Sequence, residues 1–458
     1  MLRQEGLPKM KLPNVLRLSY FLVSWISAFC TLPGNVFGET AKPLVLDVDQ
    51  VWTGTNSQFA SLSIGNDAFV AYYNAQRELT VAHINLESGR IDRKDLHEKI
   101  PGWDSHDETK LALDASKLLH VVFINHARPL EYFRSNSELS IGDLNRVGMT
   151  SLNEDRVTYP SFLRLGDNLL FVFRDGVSGD GAWYANALID HVWKRVSRVF
   201  ANRMGAVPVS AYPSAFVKAA DNSINVAIVW RKTPDVNSNF RVTFAKTKDF
   251  VSWTNADGVP LVAPLSPIGR DLVDDVGEGN GLVNNAQLSV TTDGVPLIAY
   301  TKYDEAGKNA VYLAYPRSGW KILKVAAAKG RVPIEGRGSL PKLPAFSRPV
   351  VHGAGDIHLA FSNEPAFDAT FDAKSAKLGG TKQEDLPRFS FPAVSTDGLA
   401  EPVTLTSVAE PYDPHYYDVI FRWATQGPHS DIPRACKPVE PQACSPPPTH
   451  LMAYIFKK

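Results

Sequence analysis

Two histidines bracket one strand-like run of this chain, and a tyrosine and an arginine bracket the next. His106 and His126 flank Lys110–Phe123 inside Gly102–Ser135, GWDSHDETKLALDASKLLHVVFINHARPLEYFRS. Tyr159 and Arg174 stand before and at the end of the run in Arg156–Gly181, RVTYPSFLRLGDNLLFVFRDGVSGDG. Buried strands are mostly apolar, so polar groups this close to a sheet belong at its edge, where a ligand can reach them. Two imidazoles, a phenol and a guanidinium are the groups needed to remove and return a proton beside a carboxylate. The substrate chemistry this implies is that of a sugar acid.

The elements that must position them are short and β-rich. Ser61–Tyr73, Lys110–Phe123, Ser161–Arg174, Ser214–Arg231, Ala286–Tyr300 and Pro349–Phe361 each read as strand, tight turn, strand. The turns fall near Asp67, Asp114, Asp167, Asp221, Asp293 and Gly355, about 47 to 72 residues apart. That is the repeat length of propeller blades. A seventh unit can be built from Tyr417–Ala424, His450–Phe456 and the early strand Pro43–Trp52, which would join the two chain ends and leave no open edge. The expected fold is all-β, a seven-bladed β-propeller in one domain over residues 43–458. A β-sandwich with appended domains is the alternative. Gly277–Asn285 reads as a loop rather than a phosphate cradle, because no strand-then-helix context surrounds it.

With 458 residues, 44% of them hydrophobic, the chain can bury a large core. Its formal net charge of +0 gives no reason to expect a nucleic-acid partner. Lys9, Lys11 and Arg17 precede the apolar run Leu18–Leu32, and Val36-Phe37-Gly38 offers a small-residue cleavage site. Residues 1–38 therefore read as a signal peptide, with the mature protein secreted or periplasmic; the run is short for a membrane span. Cys436 and Cys444 remain after cleavage, and an oxidising compartment makes a disulfide between them plausible.

Ser105-His106-Asp107, the LALD…LHV run, His126…Pro129-Leu130 and Tyr132-Phe133-Arg134-Ser135 resemble the BNR-repeat family that includes seven-bladed ulvan lyases. The similarity continues through Arg156–Gly181, Ala211-Tyr212-Pro213-Ser214 and Trp230–Asn239. The resemblance implies a polysaccharide lyase acting by β-elimination on a uronic-acid-containing glycan such as ulvan, sulfated or not. It implies an anionic polysaccharide as partner and a monomer as the working unit. No cofactor is needed for such chemistry; a structural metal ion is compatible with the resemblance, with no ligands assigned. By resemblance, His106 and Tyr159 are the base and acid candidates, and His126 and Tyr212 complete the pocket. Arg174 is the candidate carboxylate partner, because a guanidinium pairs with a carboxylate in two-pronged geometry. Arg231 and Arg134 are further substrate-binding candidates. Tyr159 and Tyr212 both precede proline, in TYPS and AYPS, which also fits a packing role.

Two other readings compete. A sialidase-type hydrolase would want an acid pair or a Tyr–Glu couple, and neither rich segment offers an obvious carboxylate pair. A non-catalytic glycan-binding propeller is compatible with the same repeats, since fold does not fix function. His120 and His358, inside apolar strands, read as core residues. Asp249 in Thr247–Trp253 resembles a structural Asp-box turn.

Overall fold

The computed structural model describes residues 43–340, 345–352, 356–362, 367–372, 377–382, 394–400, 403–408, 416–439 and 441–458. The expected signal peptide lies outside them. The described chain is all-β, with two three-residue 3-10 turns as its helical content. None of its helices is long and apolar enough to cross a membrane.

The strands follow one another as antiparallel units. Ala60–Ile64, Asp67–Tyr73, Glu78–Asn85 and Ile91–Lys99 form the first. Glu108–Leu113, Leu118–Ile124, Glu131–Glu138 and Asn145–Arg146 form the second. Val157–Leu165, Asn168–Val177, Asp180–Ile189 and Val192–Phe200 form the third. The fourth is built on Ser210–Pro213, Ile224–Arg231 and Asn239–Thr247. A single parallel bridge, Gly181 to Ser210, joins the third and fourth into one eleven-stranded sheet. Further sheets run over 287–327 and 345–382. The last pairs Val403–Val408 with Tyr417–Gln426 and Thr449–Lys457, and Leu44–Val51 adds to Thr449–Lys457.

Turn chemistry explains the hairpins. Gly65, Gly166 and Gly294 take φ of +55°, +60° and +86° at three of them, a region glycine enters without a Cβ penalty. The turns near Asp67, Asp114, Asp167, Asp221 and Asp293 lie where the sequence places them; the one near Gly355 lies outside the described residues. Asp249 behaves as expected of a structural turn: its carboxylate accepts from the Val251 and Ser252 N–H groups.

The core crosses the chain ends. Val48 and Val51 at the start pack in one cluster with Tyr72, Leu119, Trp423, Leu451 and Ile455. Trp423 stacks on Phe59 at 4.3 Å. Each such fully buried large apolar side chain stabilises by about 1.5–3 kcal/mol. His120 is the core residue expected: fully buried, with its Nδ1 2.7 Å from the Tyr132 hydroxyl. His358 lies on the strand Asp356–Ser362. Cys436 and Cys444 form a disulfide in the loop between the last two strands.

Candidate active site

In each hairpin the first strand begins, and the second ends, at the same sheet edge. His106 lies just before Glu108–Leu113 and His126 just after Leu118–Ile124. Tyr159 is the third residue of Val157–Leu165, and Arg174 lies near the end of Asn168–Val177, in register with Thr158. Tyr212 sits on Ser210–Pro213 and Arg231 at the end of Ile224–Arg231, in register with Ser210. The turn after His126 is tied to the third unit: the Ala127 N–H donates to the Val157 carbonyl at 3.2 Å. Six polar side chains from three successive units thus meet on one edge.

The two imidazoles stack with centroids 4.8 Å apart. One carboxylate holds both, Asp104 Oδ1 at 2.8 Å from His106 Nδ1 and Oδ2 at 2.7 Å from His126 Nδ1. Asp431, from the loop after Tyr417–Gln426, reaches His106 Nδ1 at 3.4 Å. Burial opposes charge on His106. The Tyr159 oxygen, Asp104 and Asp431 outweigh it and raise its pKa well above the ordinary imidazole value, so imidazolium is the resting form. Burial likewise opposes charge on Asp104, but hydrogen bonds from both histidines hold its carboxyl far below the usual range. Asp107 accepts from the His126 N–H at 3.0 Å with one oxygen and has no partner for the other. Burial, with the negative charge of Asp104 adding to it, pushes Asp107 up to about 7.

Tyr159 is held in an uncommon conformation. Its φ is +52°, in the left-handed region, at a register break between Thr158 and Ser161 and immediately before Pro160. For a bulky residue such a conformation costs about 1–3 kcal/mol and persists where the surroundings over-determine it. The ring is half-buried, stacked on Trp183 at 6.2 Å, edge-on to His106 at 6.0 Å and to Tyr212 at 6.0 Å.

Arg174 lies beneath these rings, 0% exposed. Its guanidinium carbon is 4.7 Å from the Tyr159 centroid and 5.4 Å from that of Tyr212. Nε donates to Thr158 Oγ1 at 2.7 Å, while Nη1 and Nη2 are buried without an acceptor. Gly181 leaves the room for it, since a Cβ there would fall 2.7 Å from Arg174 Cδ. Buried guanidinium groups are ordinarily fully bonded, so two orphaned Nη groups leave a place for an anionic oxygen.

Arg231 and Tyr212 depart from the roles expected of them. Arg231 is 6% exposed, and each of its nitrogens is engaged within the protein: Nε with Asn239, Nη1 with Ser178 and Tyr212, Nη2 with Asn284. It faces Tyr212 rather than a ligand. Tyr212, 5% exposed, has its hydroxyl oxygen 3.2 Å from each of Arg231 Nη1, the Gly179 N–H and Ser178 Oγ. Burial opposes its ionisation, but Arg174 and Arg231 outweigh it and lower its pKa to about 8. Both residues form the floor of the site.

Arg134 is not part of the cluster. Its Nη1 donates to the His191 carbonyl at 3.0 Å. His191 lies in the turn at the far end of Asp180–Ile189 from Gly181, which abuts Arg174. The sequence could not show at which edge the Arg134 side chain emerges. Asp104 and Asp431 are the residues sequence reasoning missed. Asp104 carried a signal, two residues before His106 in WDSHD; Asp431 carried none, 325 positions downstream. Among the described residues, Asp104, His106 and His126 are the one set of donors that could hold a metal ion, their donor atoms within 4.8 Å of one another.

Residues 67–328 match a family model described as BNR repeat-containing family member. The structure is similar to that of polysaccharide lyase Uly1, with a TM-score of 0.60 at 13% identity, covering 88% of this chain and 90% of that one. It is similar also to a polysaccharide lyase PL25 ulvan lyase bound to -[GlcA(1-4)Rha3S]-, with a TM-score of 0.56 at 14% identity over 82% and 92% of the two chains. At such identities the likeness is one of fold. No curated protein matches the sequence.

Proposed function

The chain belongs to the BNR repeat-containing family, and from that premise we propose that it is a polysaccharide lyase cleaving a uronic-acid-containing glycan by β-elimination. The observation that carries the reading is Arg174: a buried guanidinium with two orphaned Nη groups, between two phenols and beside a carboxylate-held histidine pair. The C5 proton of a uronate is weakly acidic. It becomes removable once the neighbouring carboxylate is neutralised by charge-assisted hydrogen bonds. Arg174 is given that role. Because it is covered, the carboxylate reaches it only as the half-buried Tyr159 ring gives way.

We divide the proton work between Tyr159 and His106. The roles are the reverse of those the resemblance implies: a histidine held protonated is suited to donate, so Tyr159, reacting through a deprotonated oxygen beside Arg174 and His106, takes the C5 proton. The C5–H electron pair becomes the C4–C5 double bond, the C4–O4 bond breaks, and His106 delivers its proton to O4. One proton is taken and one given, and transfer between the two rings through a water resets the pair. The ligand of the ulvan-lyase neighbour, glucuronate joined to a sulfated rhamnose, makes sulfated uronate glycans the first substrates to try. If a metal occupied Asp104, His106 and His126, it would supply Lewis-acid charge to the same edge.

We also read the successive sheet units as seven propeller blades, with Leu44–Val51 and Thr449–Lys457 completing the last. Residues 1–38 are assigned as an export signal, with a secreted or periplasmic monomer as product; the N-terminal sequence of the mature protein tests this.

The decisive experiment is a panel of uronate polysaccharides followed by ultraviolet absorbance. Elimination leaves an unsaturated uronate that absorbs. New reducing ends without absorbance would mean hydrolysis, and binding without either would mean a lectin-like protein.

A further inference from the structure

Asp431 stands apart from the other residues of the edge. It comes from the loop between the last two strands, 325 positions after His106. Its Oδ1 accepts from the Ser105 N–H at 3.1 Å, Ser105 Oγ at 2.8 Å and Ser339 Oγ at 3.0 Å. Its Oδ2 accepts from the Ser339 N–H at 2.8 Å and lies 3.4 Å from His106 Nδ1. One carboxylate thus ties three separate loops together at the residue preceding His106 and at the imidazole itself.

The backbone beneath it is strained. Ser430 and Asp431 are consecutive non-glycine residues in the left-handed region, at φ +52° and +61°. Gly338, at φ +75°, lets the second loop close in; a Cβ there would fall 2.9 Å from the Ser430 carbonyl. Strain of this kind is retained where the surroundings impose it, and it clusters at functional sites. The same loop is fastened by Cys436–Cys444, by Gln426 donating to the Gln442 carbonyl at 2.9 Å and by Arg434 donating to the Gly427 carbonyl at 2.9 Å.

We infer that Asp431 is a positioning residue: the disulfide-fastened C-terminal loop delivers it to orient the His106 imidazole for proton donation. The inference rests on the lyase reading for its kinetic consequence, but the geometry it asserts does not. Asp104 Oδ1 accepts from both the N–H and the Nδ1 of His106, at 2.8 Å each, and so holds the ring from its own loop alone. Asp431 adds a second carboxylate at the same Nδ1 from a separate loop and, through Ser105, ties the neighbouring backbone to that loop. His126, held by Asp104 and by the Asp107 contact to its N–H, has no such dependence.

Two measurements test this on the full mature chain. The first is nitrogen NMR of histidine-labelled protein, with the His106 signals identified by their loss in His106→Gln. Asp431→Asn should move the His106 side-chain signals and leave those of His126 in place. Unmoved His106 signals would overturn the inference whatever the protein's activity. The second is elimination kinetics. Asp431→Asn should lower kcat about 10- to 100-fold, the scale of a misplacement near 1 Å, with KM within about twofold. A Cys436→Ser/Cys444→Ser double variant should lower kcat in the same sense and by less. A rise in KM with kcat intact, or a fall in kcat no larger than the loss of folded protein, would make Asp431 a scaffold residue only. If the wild-type protein shows no elimination on any uronate glycan, the lyase reading fails, and the NMR result alone decides the inference.

Discussion

Replacing Arg174 with methionine should separate catalysis from stability. The side chain is 0% exposed, so its removal is felt in full. Lost are the Nε bond to Thr158, worth about 1 kcal/mol net, and two cation–π contacts with Tyr159 and Tyr212, about 0.5–2 kcal/mol each. Against these stands a buried guanidinium with both Nη groups unbonded, a penalty of several kcal/mol that methionine does not carry. The terms nearly cancel, so Arg174→Met should unfold in urea with a stability equal to or above wild type. Turnover should behave otherwise. Losing the donors that meet the developing charge removes about 2.7–4 kcal/mol of transition-state stabilisation, a fall of about 10²–10³ in kcat. Arg174→Lys should recover little, because a point charge does not replace the planar fork. Initial rates by ultraviolet absorbance and urea unfolding on the same samples decide it. A variant less stable by more than about 3 kcal/mol, with activity lost in proportion to unfolded protein, would make Arg174 structural. Unchanged turnover would refute its role altogether.

Tyr159→Phe should abolish elimination while glycan binding, measured by calorimetry, persists; near-normal cleavage would reduce the phenol to packing. Tyr212 should titrate near pH 8 in a phenolate absorbance scan, and Tyr212→Phe should remove that step. Its folded pKa lies below the unfolded value of about 10, so its contribution to stability is complete above pH 10 and lost as pH falls through 8. Wild type should therefore gain roughly 3 kcal/mol over Tyr212→Phe across that window, and parallel pH profiles for the two proteins would contradict this. Asp107 has the opposite sign. Its folded pKa of about 7 lies above the ordinary carboxyl value, so wild type should lose stability, on the order of 4 kcal/mol, as pH rises from about 4 to 7. Asp107→Asn keeps an acceptor for the His126 N–H and should flatten that profile; an unchanged slope would show that the carboxyl ionises freely.

Hairpins were legible in the sequence because their turns use Asp, Asn and Gly between β-rich runs, a local signal that needs no tertiary information. The cluster at the sheet edge was legible for a related reason: residues at strand ends inherit their placement from the hairpin. His106, His126, Tyr159, Arg174, Tyr212 and Arg231 do share that edge. What each one does there was not legible. Arg231 became an internal prop because Asn239, Ser178, Tyr212 and Asn284 close around it, and no local pattern announces four partners from separate segments. Arg134 failed because a strand residue can emerge toward either end of its sheet. Asp431 was invisible because its meaning depends on a loop that packs from the far end of the chain. The Cys436–Cys444 pairing, by contrast, followed from two nearby cysteines and the expectation of export.

Thr449–Lys457 does not sit at the margin of its sheet. It lies in the middle, with Leu44–Val51 on one side and Tyr417–Gln426 on the other. A ribosome makes both flanking strands before the one that separates them. Until those nine residues emerge, both neighbours present bare backbone edges, the kind that pair with other chains. A chain cut before Thr449 would therefore lose more than a strand: it would leave two sticky edges and no partner for either. Newly made protein should need chaperone protection until that central strand has emerged and paired.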